Sequence, residues 1–152
     1  MKVLLLSGGA DSINIYYNHY FDKFVYIDYG QKHIEKELAI INDLSVDYEV
    51  IKINDLTIDS KGFYECRNLK FILAVIDKYK YVKSITFGTN ADDKHPDNNR
   101  EFFDMVEKII KMSYKKDLVI YTPLKNKTKK EILDELNEDN TMEYFSDYNG
   151  IV

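Results

Sequence analysis

The residues best suited to chemistry come early. Ser7-Gly8-Gly9-Ala10-Asp11-Ser12 follows directly on an apolar run and precedes a segment of helical period. Two glycines let a backbone turn sharply and aim its N–H groups into one concavity, and a helix that starts there adds partial positive charge. Ser7 and Ser12 supply hydroxyl donors. Together they make a cradle for a phosphate chain. It is neither of the commonest phosphate loops, because no Gly-Lys pair follows and the Gly-x-Gly-x-x-Gly spacing is absent. The plain alternative is a strand-to-helix turn with Asp11 as N-cap.

Near the second apolar run lies Asp28-Tyr29-Gly30-Gln31-Lys32-His33, where Asp28 also suits a loop or helix-capping carboxylate and His33 a surface histidine at a helix start. Further on come Arg67-Asn68, then Gly88-Thr89-Asn90-Ala91-Asp92-Asp93, then His95-Pro96-Asp97-Asn98-Asn99-Arg100-Glu101-Phe102. Thr128 and Glu131 have capping-box spacing. Lys125, Lys127, Lys129 and Lys130 crowd that same helix start, where the helix dipole disfavours cations. A solvated charge run is one reading. A bound anion that relieves the repulsion is the other, and the phosphate cradle favours it.

These residues need elements to hold them. Short β-branched runs alternate with helical periods: strands over residues 2–6, 23–28, 47–53, 84–88 and 118–121, and helices over 11–20, 33–44, 68–79, 100–114 and 128–136. Residues 54–65 and 89–99 read as loops. Ile13, Tyr16, Tyr17 and Tyr20 mark the apolar side of the first helix. Phe71, Ile72, Val75 and Ile76 mark the third, and Phe103, Val106 and Ile110 the fourth. Alternation of this kind predicts a single-domain α/β fold of Rossmann-like type, a five-stranded parallel sheet with helices on both faces. Residues 138–152 form an acidic, weakly patterned tail. Ligands in such sheets bind beyond the carboxyl ends of the strands, at a topological switch point. The cradle and the Gly88 segment both follow strands.

The hexapeptide resembles the pyrophosphate-binding loop of the ATP pyrophosphatase (PP-loop) superfamily, whose members cleave ATP between the α and β phosphates and transiently adenylate a substrate. The string from Asp28 to His33 resembles one branch, the 7-cyano-7-deazaguanine synthases. Arg67-Asn68 is similar to that branch's Gly-Arg-Asn element, with Cys66 in the glycine's place. The Gly88 segment is similar to its Gly-x-Asn-Ala-x-Asp element. Pro123-Leu124 with Thr128-Lys129-Lys130-Glu131-Ile132 resembles its last phosphate-side segment. Its Pro-Asp-Cys-Arg-Pro-Glu-Phe is matched at Pro96, Asp97, Glu101 and Phe102, while Asn98 replaces the cysteine, Asn99 the arginine and Arg100 the proline. Arg100, one position away, could serve in the arginine's place, and a solvated connection is the other reading of this loop. The resemblance runs from about residue 3 to about residue 136.

The resemblance implies ATP and magnesium, with an adenine nucleotide along the first two strands. Ser7, Gly8, Gly9, Ala10, Asp11 and Ser12 would hold phosphate, with Asp28, Gly88, Lys127 and Lys129 also on the nucleotide side. Asp11, Ser12 and Lys129 would take part in catalysis. Gln31, His33, Arg67, Asn68, Asn90, Asp93 and Asp97 would face the acceptor. Tyr29 or Phe63 could stack on a flat base, and each suits the core equally well. The implied substrates are 7-carboxy-7-deazaguanine and ammonia. Their product is the amide or, after dehydration with further ATP, 7-cyano-7-deazaguanine. A carboxylate is a poor electrophile, and adenylation supplies the leaving group it lacks. Members often pair, so the resemblance extends the expectation to a homodimer.

Synthases of this branch end in a cysteine-rich zinc segment, but residues 137–152 contain no cysteine or histidine. Zinc of that type is not expected, and the chain reads as a shortened relative. With one cysteine, Cys66, a disulfide within the chain is excluded. The net charge of −5 argues against a stable nucleic-acid partner. No apolar run spans a bilayer and the first residues lack signal-peptide features, so a cytoplasmic protein is expected. Two other readings stay open. One is a superfamily ligase for a different acceptor, in which Cys66 could relay sulfur. The other is a non-catalytic protein that binds a nucleotide or deazapurine.

Overall fold

The computed structural model describes residues 1–138 and Tyr144. Its elements follow the expected alternation: β1 (Lys2–Leu5), α1 (Ala10–Asn18), β2 (Lys23–Asp28), α2 (Ile34–Asp43), β3 (Tyr48–Lys52), α3 (Arg67–Lys78), β4 (Ser84–Thr86), α4 (Arg100–Tyr114), β5 (Val119–Tyr121) and α5 (Lys129–Asn137). All pairings are parallel, in the order β3-β2-β1-β4-β5. The chain first builds outward from β1 through β2 to β3, then returns to the other side of β1 for β4 and β5. The switch point therefore lies between β1 and β4. This is the Rossmann-like α/β fold expected from the sequence. Most of the stretch read as an acidic tail lies outside the described residues.

Why β1 is central can be read from its side chains. Val3 and Leu4 are both fully buried, on opposite faces of the sheet. Val3 joins a core with Phe71, Ile72, Val75 and Ile76 of α3 and with Phe103, Val106 and Ile110 of α4. Leu4 and Leu6 join a second core with Ile13, Ile15, Ile41, Ile132 and Leu136, from α1, α2 and α5. A parallel strand covered on both faces must be apolar throughout.

Both edge strands are tied down by charges. On β5 the outward N–H of Ile120 donates to Glu107 Oε1 at 2.9 Å, and its carbonyl accepts from Arg100 Nη1 at 2.6 Å. Arg100 also donates to Thr122, Asp104 and Glu107. Its guanidinium therefore blocks a sheet edge that would otherwise be open to strand addition. Of the two readings of Arg100, the structure places its guanidinium on the β5 edge.

On the β3 edge, Glu49 accepts from Lys23 at 2.5 Å, from Tyr79 Oη at 2.6 Å and from Lys78 at 3.1 Å. These donors, Lys23 foremost, lower its carboxyl from 4.5 to about 2. A depressed carboxyl contributes stability above its unfolded value that is lost as pH falls through the folded one. The contribution should be full above pH 4.5 and vanish towards about pH 2. Glu49→Gln should lower stability at neutral pH by less than about 1 kcal/mol, because the side chain is partly exposed and solvent-screened. In acid titrations followed by circular dichroism, the two proteins should converge at the lowest pH. A constant gap at every pH would show that the ion cluster is not its source.

Candidate active site

The loop after β1 is closed by its own serines. Ser7 N–H donates to Ser12 Oγ at 3.1 Å, and Ser12 Oγ donates to the Gly9 carbonyl at 3.2 Å. Gly9 N–H donates to Ser7 Oγ at 3.3 Å. Gly8 has φ +79°, and a Cβ there would lie 2.9 Å from the Glu37 carbonyl oxygen, so the loop is pressed against α2. Gly88, just beyond β4, closes the other side: its Cβ would lie 2.8 Å from the Asp11 Cβ. No side chain caps α1 at Gly9. The N–H groups of its first turn, at Ala10, Asp11 and Ser12, are the donors a helix start leaves over. Backbone donors and serine hydroxyls at a helix start fit a phosphate chain.

Asp11 gathers side chains from two other segments. Its Oδ1 lies 2.9 Å from Lys129 Nζ at the start of α5, and its Oδ2 accepts from Asn90 Nδ2 at 3.2 Å. Lys129 N–H donates to Asp92 at 2.8 Å, and Ala91 N–H to the Lys127 carbonyl at 2.8 Å, so α5 is stitched to the loop after β4. The capping box of Thr128 and Glu131 is formed. Among the described residues no group of three or more His, Cys, Asp or Glu is placed to hold a metal. Magnesium needs no such cage, since it binds through phosphates, water and one or two carboxylates. Asp11 is the carboxylate beside the loop. When bound, magnesium would neutralise phosphate charge.

Lys127 is oriented differently. Its ammonium lies 2.5 Å from Glu135 Oε1, and Glu135 also accepts from Asn14 of α1 at 2.9 Å. These donors, Lys127 first, hold the Glu135 carboxyl below its usual value. Of the two lysines, only Lys129 has its ammonium on Asp11.

A second group of residues surrounds the start of α3. Asn68 is buried; its backbone N–H donates to Asp97 Oδ2 at 3.0 Å, and its amide donates to the Asp97 carbonyl at 2.9 Å. Asp97 thus does the capping that Cys66, at φ +51°, does not. The Arg67 guanidinium lies over Tyr29 and Phe71, 5.8 and 5.5 Å from the ring centroids. Burial above all raises the Tyr29 phenol. Tyr29 also packs edge-on against Tyr64, so it belongs to this wall and is not a free stacking ring. Asp93 accepts from the His95 ring and from Asn98, inside the loop after β4.

The third group, after β2, is turned inward. Asp28 accepts from Gly30 N–H at 3.1 Å. Gln31 accepts from Tyr29 N–H and donates to Tyr26 Oη and the Ile27 carbonyl, which closes the turn. The Tyr26 phenol is pushed up by burial and by neighbouring Glu37. His33 sits at the N-cap of α2, half-buried, beside a cavity of about 320 Å³ that Gln31 also lines. The close approach of Gly8 to the Glu37 backbone of α2 joins this group to the phosphate loop.

Residues 60–150 match the family of the queuosine biosynthesis protein QueC. The chain belongs to this family. The match takes in Arg67, Asn68, the loop after β4, and Lys129, together with the α3–β4–α4 framework between them. The QueC family is of the ATP-dependent ligase type, with ATP and magnesium as usual cofactors and small molecules and ammonia as substrates. No curated protein matches the chain. No helix among the described residues is long and apolar enough to cross a membrane.

The sequence left several of these contacts unread. The 57–65 hairpin is one: Ile58 and Tyr64 form an antiparallel bridge, and Asp59 Oδ1 accepts from Lys61 and Phe63 N–H around Gly62. Asp59-Ser60-Lys61-Gly62 is a turn signature that could have found it. Glu37 and Glu135 were also not singled out; Glu37 meets Tyr26 and Gly8, and Glu135 meets Asn14, 121 residues away.

Proposed function

We propose that the chain adenylates 7-carboxy-7-deazaguanine with ATP and amidates the product with ammonia, giving the amide and, with further ATP, 7-cyano-7-deazaguanine. The observation that carries this reading is the meeting of the uncapped loop, Asp11, Asn90 and Lys129 at the switch point, in a chain of the QueC family. In this reading the loop N–H groups, Ser7 and Ser12 bind the phosphates. Lys129 stabilises the charge that develops on departing pyrophosphate. The acceptor lies towards Arg67, Asn68 and the loop after β4, close enough for its carboxylate to attack the α phosphate. Holding two reactants in line supplies much of the rate.

The test is nucleotide chromatography of ATP incubated with magnesium, ammonium and 7-carboxy-7-deazaguanine. AMP and pyrophosphate should form only when the deazaguanine is present, and Asp11→Ala should abolish them. Intact ATP in the complete mixture, with a folded protein, would remove the reading. Mass spectrometry of the same mixture distinguishes the amide from the nitrile.

A further inference from the structure

We propose that His95 accepts the proton released when ammonia attacks the adenylated acceptor, with Asp93 holding its ring; this rests on the function proposed above. The imidazole Nδ1 lies 2.9 Å from Asp93 Oδ1, and the same oxygen accepts the His95 backbone N–H at 3.1 Å. Two bonds to one carboxylate oxygen fix the ring and select the tautomer. A ring that donates from Nδ1 keeps Nε2 as an acceptor.

Asp93 is itself held. Its second oxygen accepts from Asn98 Nδ2, and Asn98 Oδ1 accepts from Thr89 Oγ at 2.5 Å. Thr89 and Asn98 are buried. A hydrogen-bonded chain therefore runs from the buried end of the loop, next to Gly88, out to a half-exposed imidazole. Asn98 stands where the resembling synthases carry cysteine. A thiol is a weak donor and a carboxamide a strong one, so this departure supplies the group that orients Asp93.

The placement suits the second half of the reaction. Asn90, at the start of this loop, reaches Asp11, and Asp97, near its end, holds Asn68. His95 lies between them in sequence, and its ring packs edge-on against Phe63 of the 57–65 hairpin, with centroids 4.7 Å apart. That hairpin presents a neutral ring to it, and Asp93 is the charged partner on its own loop.

Amidation forms a C–N bond and breaks the bond from the carbonyl carbon to the oxygen of AMP, which leaves with the electron pair. The attacking nitrogen becomes cationic and must shed one proton, or the adduct reverts by losing ammonia. Nε2 of His95 takes that proton and passes it to water. A positioned base of this kind contributes roughly 100-fold or more.

The two halves of the reaction are separable. Exchange of labelled pyrophosphate into ATP, with 7-carboxy-7-deazaguanine and no ammonia, reads adenylation; mass spectrometry with ammonium reads the amide. His95→Ala should keep exchange while amide formation falls by roughly 100-fold, and added imidazole should restore part of it. Asp93→Asn should slow amidation with no response to imidazole. Undiminished amide formation by His95→Ala, or loss that imidazole leaves unchanged, would overturn the proposal alone. Absence of exchange in the unaltered protein would overturn it together with the function it rests on.

Discussion

Gly8→Ala should abolish ATP turnover and lower the melting temperature by about 5–10 °C, on a loss of roughly 2–3 kcal/mol. Two effects add. Gly8 has φ +79°, a conformation that costs an L-residue with a Cβ roughly 1–2 kcal/mol. The new Cβ would also lie 2.9 Å from the Glu37 carbonyl oxygen and 3.2 Å from its Cα. Both are helix backbone, so α2 cannot yield by turning a side chain. Either α2 moves off the sheet, where Ile41 packs with Leu4 and Tyr26 in one core, or the loop leaves its cradle geometry. The first outcome costs stability and the second costs phosphate binding.

Gly30→Ala isolates the conformational term. Gly30 has φ +81°, but nothing lies within 4 Å of its added Cβ. It should lose only roughly 1–2 kcal/mol. Thermal melts of both variants and nucleotide chromatography of Gly8→Ala check the argument. Equal melting shifts for the two would mean that the approach of α2 to the loop is not tight.

The sequence was informative where one local rule decides the outcome. β1 reads as a strand buried on both faces because every residue from Val3 to Leu6 is apolar. The inward faces of α3 and α4 fall where the helical period puts them. The capping box needs only two residues three apart. Reading failed where outcomes depend on distant partners. The expected tyrosine face of α1 is only partly inside, since the helix ends at Asn18 and Tyr20 is 95 % exposed. In its place Ser12 and Asn14 are buried, because they face the phosphate loop and Glu135 of α5. Arg100 looked available for substrate until β5 arrived beside it. The Asp93–Asn98–Thr89 hydrogen bonds join two motif segments whose side-chain pairing neither motif states.

Lys129→Met should cut AMP formation by roughly 100- to 1,000-fold while the fold persists. The ammonium sits 2.9 Å from Asp11 at the first residue of α5, the position where a helix dipole least favours a cation. The pair is partly exposed, so its loss should change stability by no more than about 1 kcal/mol. A cation kept in such a place is useful when an anion arrives. Departing pyrophosphate concentrates negative charge, and a fixed cation stabilises that charge more than it stabilises bound ATP. Turnover should therefore fall more than nucleotide affinity does. Lys127→Met is the matched comparison. Its ammonium lies on Glu135, which also holds Asn14, so its loss should loosen α1 from α5 and lower the melting temperature with turnover near normal. Equal losses of turnover in both variants would show that Lys127 leaves Glu135 for the phosphates when nucleotide binds. Unchanged turnover in Lys129→Met would remove this lysine from the chemistry and leave the loop donors and Asp11 to carry it.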